Sequence, residues 1–72
     1  MQTDQYRGYT LWGHAIVQQE EGMHRERFAG SGTIMRDSKV VVASGVLGAF
    51  DTDEEAESAG LSWCRAWVDN HG

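Results

Sequence analysis

The chain lacks several features that would assign it to a class of protein. It has one cysteine, Cys64, so it forms no internal disulfide, and a lone thiol favours a reducing compartment. It has no apolar run of about 18 residues, which predicts that no segment spans a membrane. It has no basic start followed by an apolar segment. We therefore expect no secretory signal and a cytoplasmic location.

Basic residues are scarce in the second half of the chain. Residues 41–72 carry six acids and one base, Arg65, whereas residues 1–40 carry five of each. The net charge of −5 at pH 7 therefore comes from the C-terminal part. Phosphate contacts need clustered Lys and Arg side chains, so nucleic acids and anionic membranes are disfavoured as partners.

Patterns typical of catalytic, cofactor and metal sites are also missing. The three histidines and the cysteine follow no common metal-ligand spacing. The segment Gly30-Ser31-Gly32 lacks the lysine and the following helix of a phosphate-binding loop. The acids from Asp51 to Glu57 lie at a predicted helix start, where capping and the helix dipole explain them. We expect no cofactor, no metal and no enzymatic activity.

The strongest local signal is a helix start. The chain has 72 residues, 40% of them hydrophobic, which suits a single folded domain over residues 1–72. Thr52 and Glu55 have the spacing of a capping box, in which the Thr hydroxyl accepts from the Glu N–H and the Glu carboxylate accepts from the Thr N–H. The box and the acids after it predict a helix over about residues 53–68.

One stripe of this helix is predicted to be buried. Its members follow the spacing of a single helix face and are Ala56, Ala59, Gly60, Trp63 and Trp67. Glycine costs about 1 kcal/mol relative to alanine inside a helix, so Gly60 implies close approach to the sheet. Leu61 and Val68 lie off the stripe and are expected to be exposed, and Cys64 is expected to be a partly buried structural residue. The residues to which we assign structural roles are Thr52, Glu55, Ala56, Gly60, Trp63 and Trp67.

The segment before the helix is predicted to form a sheet over about residues 6–50, with residues 1–5 disordered. Three strands are expected, at about 6–19, 25–35 and 39–44, joined by turns at 19–22 and 36–38, the second of type I geometry. Gly30 and Gly32 are interpreted as the place where the helix or an aromatic ring lies against the sheet. The expected fold is α+β: a three-stranded antiparallel meander followed by one C-terminal helix packed on one face (β-β-β-α).

The first strand carries large apolar groups on both of its faces, so its alternation does not decide which face is buried. One face holds Tyr9, Leu11, Ala15 and Val17, and the other holds Thr10, Trp12, His14, Ile16 and Gln18.

Residues 46–52 with Glu54-Glu55-Ala56 resemble the "LGxFxTxEEAAxAY" segment of AP2-type DNA-binding domains. The arm-binding domains of phage-type integrases have a similar layout, and the whole chain also resembles small bacterial proteins without an assigned activity. The resemblance implies three antiparallel strands and one helix. It also implies that DNA would be contacted by Arg and Trp side chains of the first two strands. The positions that match these contacts are Arg7, Trp12, Arg25 and Arg27.

The sheet face opposite the helix is the predicted functional surface. Aromatic side chains flanked by arginine are typical of protein interfaces. The candidate interaction residues are Tyr9, Trp12, Arg25, Arg27 and Phe28. The sequence therefore favours a small non-catalytic protein-interaction or regulatory module whose partner is another protein or a second copy. The alternative is an AP2-like nucleic-acid-binding module.

Overall fold

The computed structural model describes residues 1–19 and 26–71, and it has an α+β fold, as predicted. The described residues form four to five strands rather than three. The elements are β1 (Gln2–Tyr6), β2 (Tyr9–Gln19), β3 (Glu26–Arg36), β4 (Lys39–Ala43), β5 (Gly48–Phe50) and α1 (Asp53–His71).

The sheet is antiparallel in the order β1-β2-β3-β4, and β5 also pairs with β3. β4 pairs with residues 33–36 of β3, and β5 pairs with residues 28–30 of the same strand. Between them the N–H groups of Ser44 and Leu47 each donate to a β3 carbonyl, those of Gly32 and Gly30, at 2.8 Å. β4 and β5 thus share the position of the predicted third strand, which is interrupted near Gly45.

The prediction that residues 1–5 are disordered is wrong. β1 pairs with β2 from Gln2 opposite Gly13 to Tyr6 opposite Tyr9. Its side chains also reach the helix: the Tyr6 hydroxyl donates to Asp69 Oδ1 at 2.7 Å, and Arg65 Nη2 donates to Asp4 Oδ2 at 3.1 Å. β1 is stabilised by backbone pairing and by polar contacts distant in sequence, and its own composition shows no apolar alternation.

Two tight turns have backbone conformations of the left-handed region. Arg7 and Gly8 join β1 to β2 with φ of 52° and 84°, and Asp37 and Ser38 join β3 to β4 with φ of 53° and 63°. Positive φ at both central residues is the type I′ arrangement, whose twist matches that of the paired strands. The expected type I geometry at 36–38 is therefore wrong. The turn predicted at 19–22 lies outside the described residues.

The helix lies with its backbone directly on the sheet. A Cβ added to Gly30 would stand 2.7 Å from the Ala56 carbonyl oxygen, and one added to Gly32 would stand 2.6 Å from the Gly60 carbonyl oxygen. A Cβ on Gly13 would overlap the Glu57 carbonyl oxygen in the same way. These contacts confirm that the strand glycines mark the approach of the helix. They also show that the helix covers the face of β2 that carries Tyr9, Leu11 and Gly13.

The buried face of the helix is rotated from the predicted stripe. Ala56 and Gly60 are buried as expected, but Trp63 and Trp67 are only half-buried. At 3.6 residues per turn, Trp67 and Trp63 lie about 60° and 100° around the axis from Cys64, which points into the core. The helix sits too close to the sheet for an indole beneath it, so the tryptophans pack along its flank. The fully enclosed cluster is Leu11, Ile34, Leu61, Cys64 and Val68, which corrects the expected exposure of Leu61 and Val68.

Glu57 is also buried, although its sequence position suggested a place in the acidic helix start. Its carboxylate pairs with the N-terminal ammonium of Met1. This pairing offsets the cost of removing a carboxylate from water.

The helix begins at the predicted residue and ends later than expected. The Glu55 N–H donates to Thr52 Oγ1 at 3.1 Å, which is one of the two bonds of the capping box. At the other end Asn70 Nδ2 donates to the Ala66 carbonyl at 2.9 Å, and the His71 ring stacks on Trp67 with centroids 4.4 Å apart. These contacts extend the last turn to His71. Within the described residues, no helix has the length and apolarity needed to cross a membrane.

Replacing Thr52 by alanine should lower the free energy of unfolding by about 1 kcal/mol, because the Glu55 N–H loses its acceptor. Chemical denaturation measures the change. Thr52→Ser is the matched control, since it keeps the accepting oxygen and should retain most of the stability. Equal stability of the alanine and serine variants would contradict the role of the cap.

Replacing Gly60 by alanine should destabilise the fold although alanine is the better helix former. The new methyl group would overlap the Ser31 carbonyl oxygen, and we expect a loss of about 2–3 kcal/mol, typical of overpacking. Ser62→Ala, at an exposed position of the same helix, should be nearly neutral. A Gly60→Ala variant with a raised thermal midpoint would show that the helix does not lie this close.

Candidate functional site

The face of the sheet turned away from α1 is open to solvent. Because side chains alternate along a strand, the residues of β2 and β3 that do not face the helix share this surface. We call this surface the open face. From these two strands it comprises the exposed Ile16 and Gln18, the half-buried Thr10, Trp12, His14, Arg27, Ser31, Thr33 and Met35, and Ala29, which is fully buried. No element of the described residues packs against it.

The open face is organised in rows that run across the strands. Ile16 of β2 pairs with Ala29 of β3, which pairs with Ala49 of β5, and this row is wholly apolar. At the opposite end of the ladder Met35 pairs with Val40 of β4. Ile16 is 51% exposed and Val40 is 61% exposed. Large aliphatic groups therefore meet solvent at both ends of the face.

A half-buried aromatic and a hydroxyl-rich row lie between these ends. Trp12 pairs with Thr3 of β1 on one side and Thr33 of β3 on the other. The Trp12 indole N–H is enclosed and finds no acceptor among the described residues. His14 Nε2 lies 3.2 Å from Thr33 Oγ1, so this imidazole is held by a neutral hydroxyl. The centre of the face is polar without being charged.

Arg27 is the single formal charge that the described residues place on the open face. It lies at one end, where Arg27 Nη2 donates to the Ala49 carbonyl at 3.4 Å, and its Nε is enclosed and has no acceptor within residues 1–19 and 26–71. The described acids lie elsewhere. Asp53, Glu54 and Glu55 form the first turn of α1, and Asp69 lies near its end beside Arg7, with 3.6 Å between the charged groups.

The structure separates the five predicted interaction residues. Trp12 and Arg27 do lie on the open face, but they are six positions apart along the ladder, which is roughly 20 Å. Tyr9 lies on the helix side, where its ring meets Trp67 edge-on at 6.3 Å, and Phe28 is on that side too, paired with Phe50. Placing these two on the interaction surface is therefore wrong, because their strand parity turns them toward the helix. Arg25 lies outside the described residues.

The sequence analysis missed several members of the open face, namely His14, Ile16, Ala29, Met35 and Val40. The alternation of side chains along each strand could have identified them. Gly13, Gly30 and Gly32 mark the face that the helix covers, and every second residue counted from Trp12 or from Ala29 then falls on the other face. Because both faces of β2 carry large residues, the sequence of β2 alone does not show which face is open.

Six residues have assigned structural roles. Thr52 and Glu55 form the helix cap, Ala56 and Gly60 are buried against the sheet, and Trp63 and Trp67 pack along the flank of the helix. Arg7, matched by the AP2-like resemblance, lies in the β1–β2 turn with its guanidinium 5.5 Å from the Tyr6 ring centroid, not on the open face.

Other clusters of reactive groups are weak as sites. The described residues contain no group of three or more His, Cys, Asp or Glu side chains that could hold a metal ion. A shallow depression lined by Phe50, Thr52, Glu54, Glu55 and Ser58 lies at the helix start, and its carboxylates are accounted for by capping. The open face remains the surface whose composition calls for a functional explanation.

Cys64 is fully enclosed between the helix and the sheet. Its thiol approaches the Thr33 carbonyl oxygen at 3.6 Å and the Trp12 carbonyl oxygen at 3.9 Å, and burial raises its pKa. A buried, protonated thiol is a poor nucleophile, which makes Cys64 a packing residue.

Comparison of the chain with protein-family models, with curated proteins and with solved structures finds no match. The function of the chain is therefore inferred from the geometry of the open face itself.

The Cys64 thiol should react slowly with a disulfide reagent in the folded protein and rapidly after unfolding. Because its pKa is raised in the folded state, the thiol contributes stability that is fully present below its ordinary pKa of 9.0 and is lost as the pH rises through the folded-state value. The denaturation midpoint of the wild type should therefore fall more at alkaline pH than that of Cys64→Ala. Rapid labelling of the folded protein at neutral pH would contradict this assignment.

Proposed function

We propose that this chain is a non-catalytic module that binds a protein partner through the open face. The observation that carries the proposal is a sheet face that no other described element covers, and on which the described residues place apolar groups and one formal charge. A cytoplasmic setting, in which the lone thiol stays reduced, belongs to the same proposal.

The distribution of charge supports a protein partner. Depletion of charged residues, together with aromatic, Met and Arg side chains, is the compositional mark of interface cores. The open face carries one Trp, one Met and one Arg, with exposed aliphatic groups at Ile16 and Val40. No Asp or Glu is among the paired strand residues of this face, so a partner there would displace water from few ionised groups.

The Trp12 indole adds a more specific argument. An enclosed N–H without an acceptor costs about 1–3 kcal/mol of lost solvation, and such groups in native proteins call for an explanation. The rest of the indole is only half-buried, so a partner on the open face would contact the ring and would reach this N–H only if the side chain moved. Tryptophan is also among the residues that most often dominate the binding energy of an interface.

A second candidate is the AP2-like binding of nucleic acid. One observation favours it: Trp12 and Arg27 lie on the same face of the sheet, as the resemblance implies for a DNA-contacting surface. The charge is unfavourable, because the described part of the face offers one cation and the chain carries a net charge of −5. Few phosphates could be neutralised, and affinity for DNA depends mainly on that neutralisation.

A photo-reactive amino acid at position 16 tests the proposal in cells that express the chain. We expect ultraviolet light to join position 16 to a protein, because Ile16 is an exposed apolar residue of the open face. The same amino acid at Ser62, on the outer side of α1, is the matched control and should give no comparable product. Absence of a protein adduct at position 16, or equal adducts at both positions, would contradict the proposal.

Titration with duplex and single-stranded DNA at low salt separates the two candidates. The protein-binding proposal expects no saturable binding tighter than the non-specific range of about 10⁻⁴–10⁻⁶ M. Sub-micromolar binding that weakens with salt and is lost in Arg27→Gln would replace it with the nucleic-acid candidate.

A further inference from the structure

We propose that the partner is a second copy of this chain, bound open face to open face about a two-fold axis that passes near His14 and Ser31. This inference rests on the proposed function and identifies its partner. Four features of the structure support it: the distribution of charge, the position of Arg27 along the ladder, the area of the open face, and the polarity and irregularity of the sheet edges.

Two copies of an acidic chain can associate closely only through a surface from which the acids are absent. The net charge of −5 means that most contacts between copies would bring carboxylates together. Asp4 and Glu57 lie on the helix side, and Asp53, Glu54 and Glu55 form the first turn of the helix. The paired strand residues of the open face include no carboxylate.

The position of Arg27 suits a two-fold arrangement. Arg27 lies opposite Gln18 at one end of the face, and the pair of His14 and Ser31 is the middle row between this end and Met35. An axis at the middle row would place Arg27 over the Met35 end of the other copy. The two guanidinium groups would then be roughly 27 Å apart, beyond the Debye length of about 8 Å at physiological salt.

The area is sufficient for a weak dimer. β2 and β3 are paired from Thr10–Met35 to Gln19–Glu26, and at about 3.4 Å per residue this ladder is roughly 30 Å long. The sheet is three to four strands wide, or about 14–19 Å, so the face presents about 430–570 Å². Two copies would bury about 860–1,140 Å², just below the range of stable protein interfaces, which suits a dimer that forms only at high concentration.

The edges of the sheet are less suited to self-association. The β1 edge is polar, with the sequence Gln-Thr-Asp-Gln-Tyr, and it covers only residues 9–13 of β2, so among the described residues a short free edge remains at residues 14–19. The β4 edge is irregular, because its register shifts opposite Ile34 and Met35 and its strand is interrupted at residues 44–47. Short, bulged and charged edges oppose strand addition. A face-to-face contact of two sheets, about 10 Å apart, is therefore the arrangement that the structure favours.

Sedimentation of three proteins over a range of concentrations tests the inference. The wild type should approach twice the mass of a single chain as its concentration rises. Ile16→Arg puts a cation into the interface of each copy and should weaken dimerisation about 100-fold or more, with an unchanged thermal midpoint at concentrations at which the wild type is monomeric. Val46→Arg is the matched control, because Val46 is 63% exposed and lies in the β4–β5 connection, and this variant should dimerise like the wild type.

Cross-linking tests the orientation. A short bismaleimide should join two copies of Ser31→Cys, whose thiols would lie near the axis, and should not join Arg27→Cys, whose thiols would be far apart. The buried Cys64 gives no background in folded protein. Efficient joining through position 27, with none through position 31, would overturn the two-fold arrangement.

The failures of the two proposals are distinguishable. A wild type that stays monomeric at every concentration, or a Val46→Arg variant that loses the dimer as Ile16→Arg does, overturns the second-copy inference. If position 16 still photo-cross-links to a different protein, the proposed function stands with another partner. If position 16 joins no protein at all, both proposals fall.

Discussion

The contact between the backbone of α1 and the backbones of β2 and β3 is the constraint on which the structure depends. It exists because the sheet presents Gly13, Gly30 and Gly32 beneath a helix that presents Gly60. With no side chains between them, the helix approaches closely enough to enclose Cys64 against two strand carbonyls. The same closeness leaves no room for an indole underneath. The glycines thus determine which face of the sheet is covered and which remains open.

Much of the fold could be predicted from local chemistry. The capping spacing of Thr52 and Glu55 predicted where the helix begins, and the paired glycines of β3 predicted the close approach of the helix. β1 could not be predicted, since its polar residues show no apolar alternation and its partners, Arg65 and Asp69, are more than sixty positions away in the sequence. Only the tertiary structure brings these groups together.

The rotation of the helix shows where a reading based on hydrophobicity fails. The predicted stripe follows the helical spacing of Ala56, Ala59, Gly60, Trp63 and Trp67, and it therefore places two large tryptophans in the core. Large groups occupy a core only when the layers stand far enough apart, and here the glycines bring them together. The spacing of small residues, with Leu61 and Val68 beside them, determines the orientation of the helix. The same logic applies to the candidate site: Tyr9 and Phe28 were assigned by residue type, whereas parity relative to the glycines places them on the helix side.

The tryptophans are divided between the two sides of the sheet, and this division has a spectroscopic consequence. Trp12 belongs to the open face, while Trp63 and Trp67 lie along the flank of the helix. Variants that retain a single indole would therefore contain a fluorophore that senses either the open surface or the packing of the helix. The fluorescence of Trp12 would report changes at the open face. The fluorescence of Trp67, which stacks on His71, would report changes in the last turn of the helix. The chain thus carries its own probes for separating association from folding.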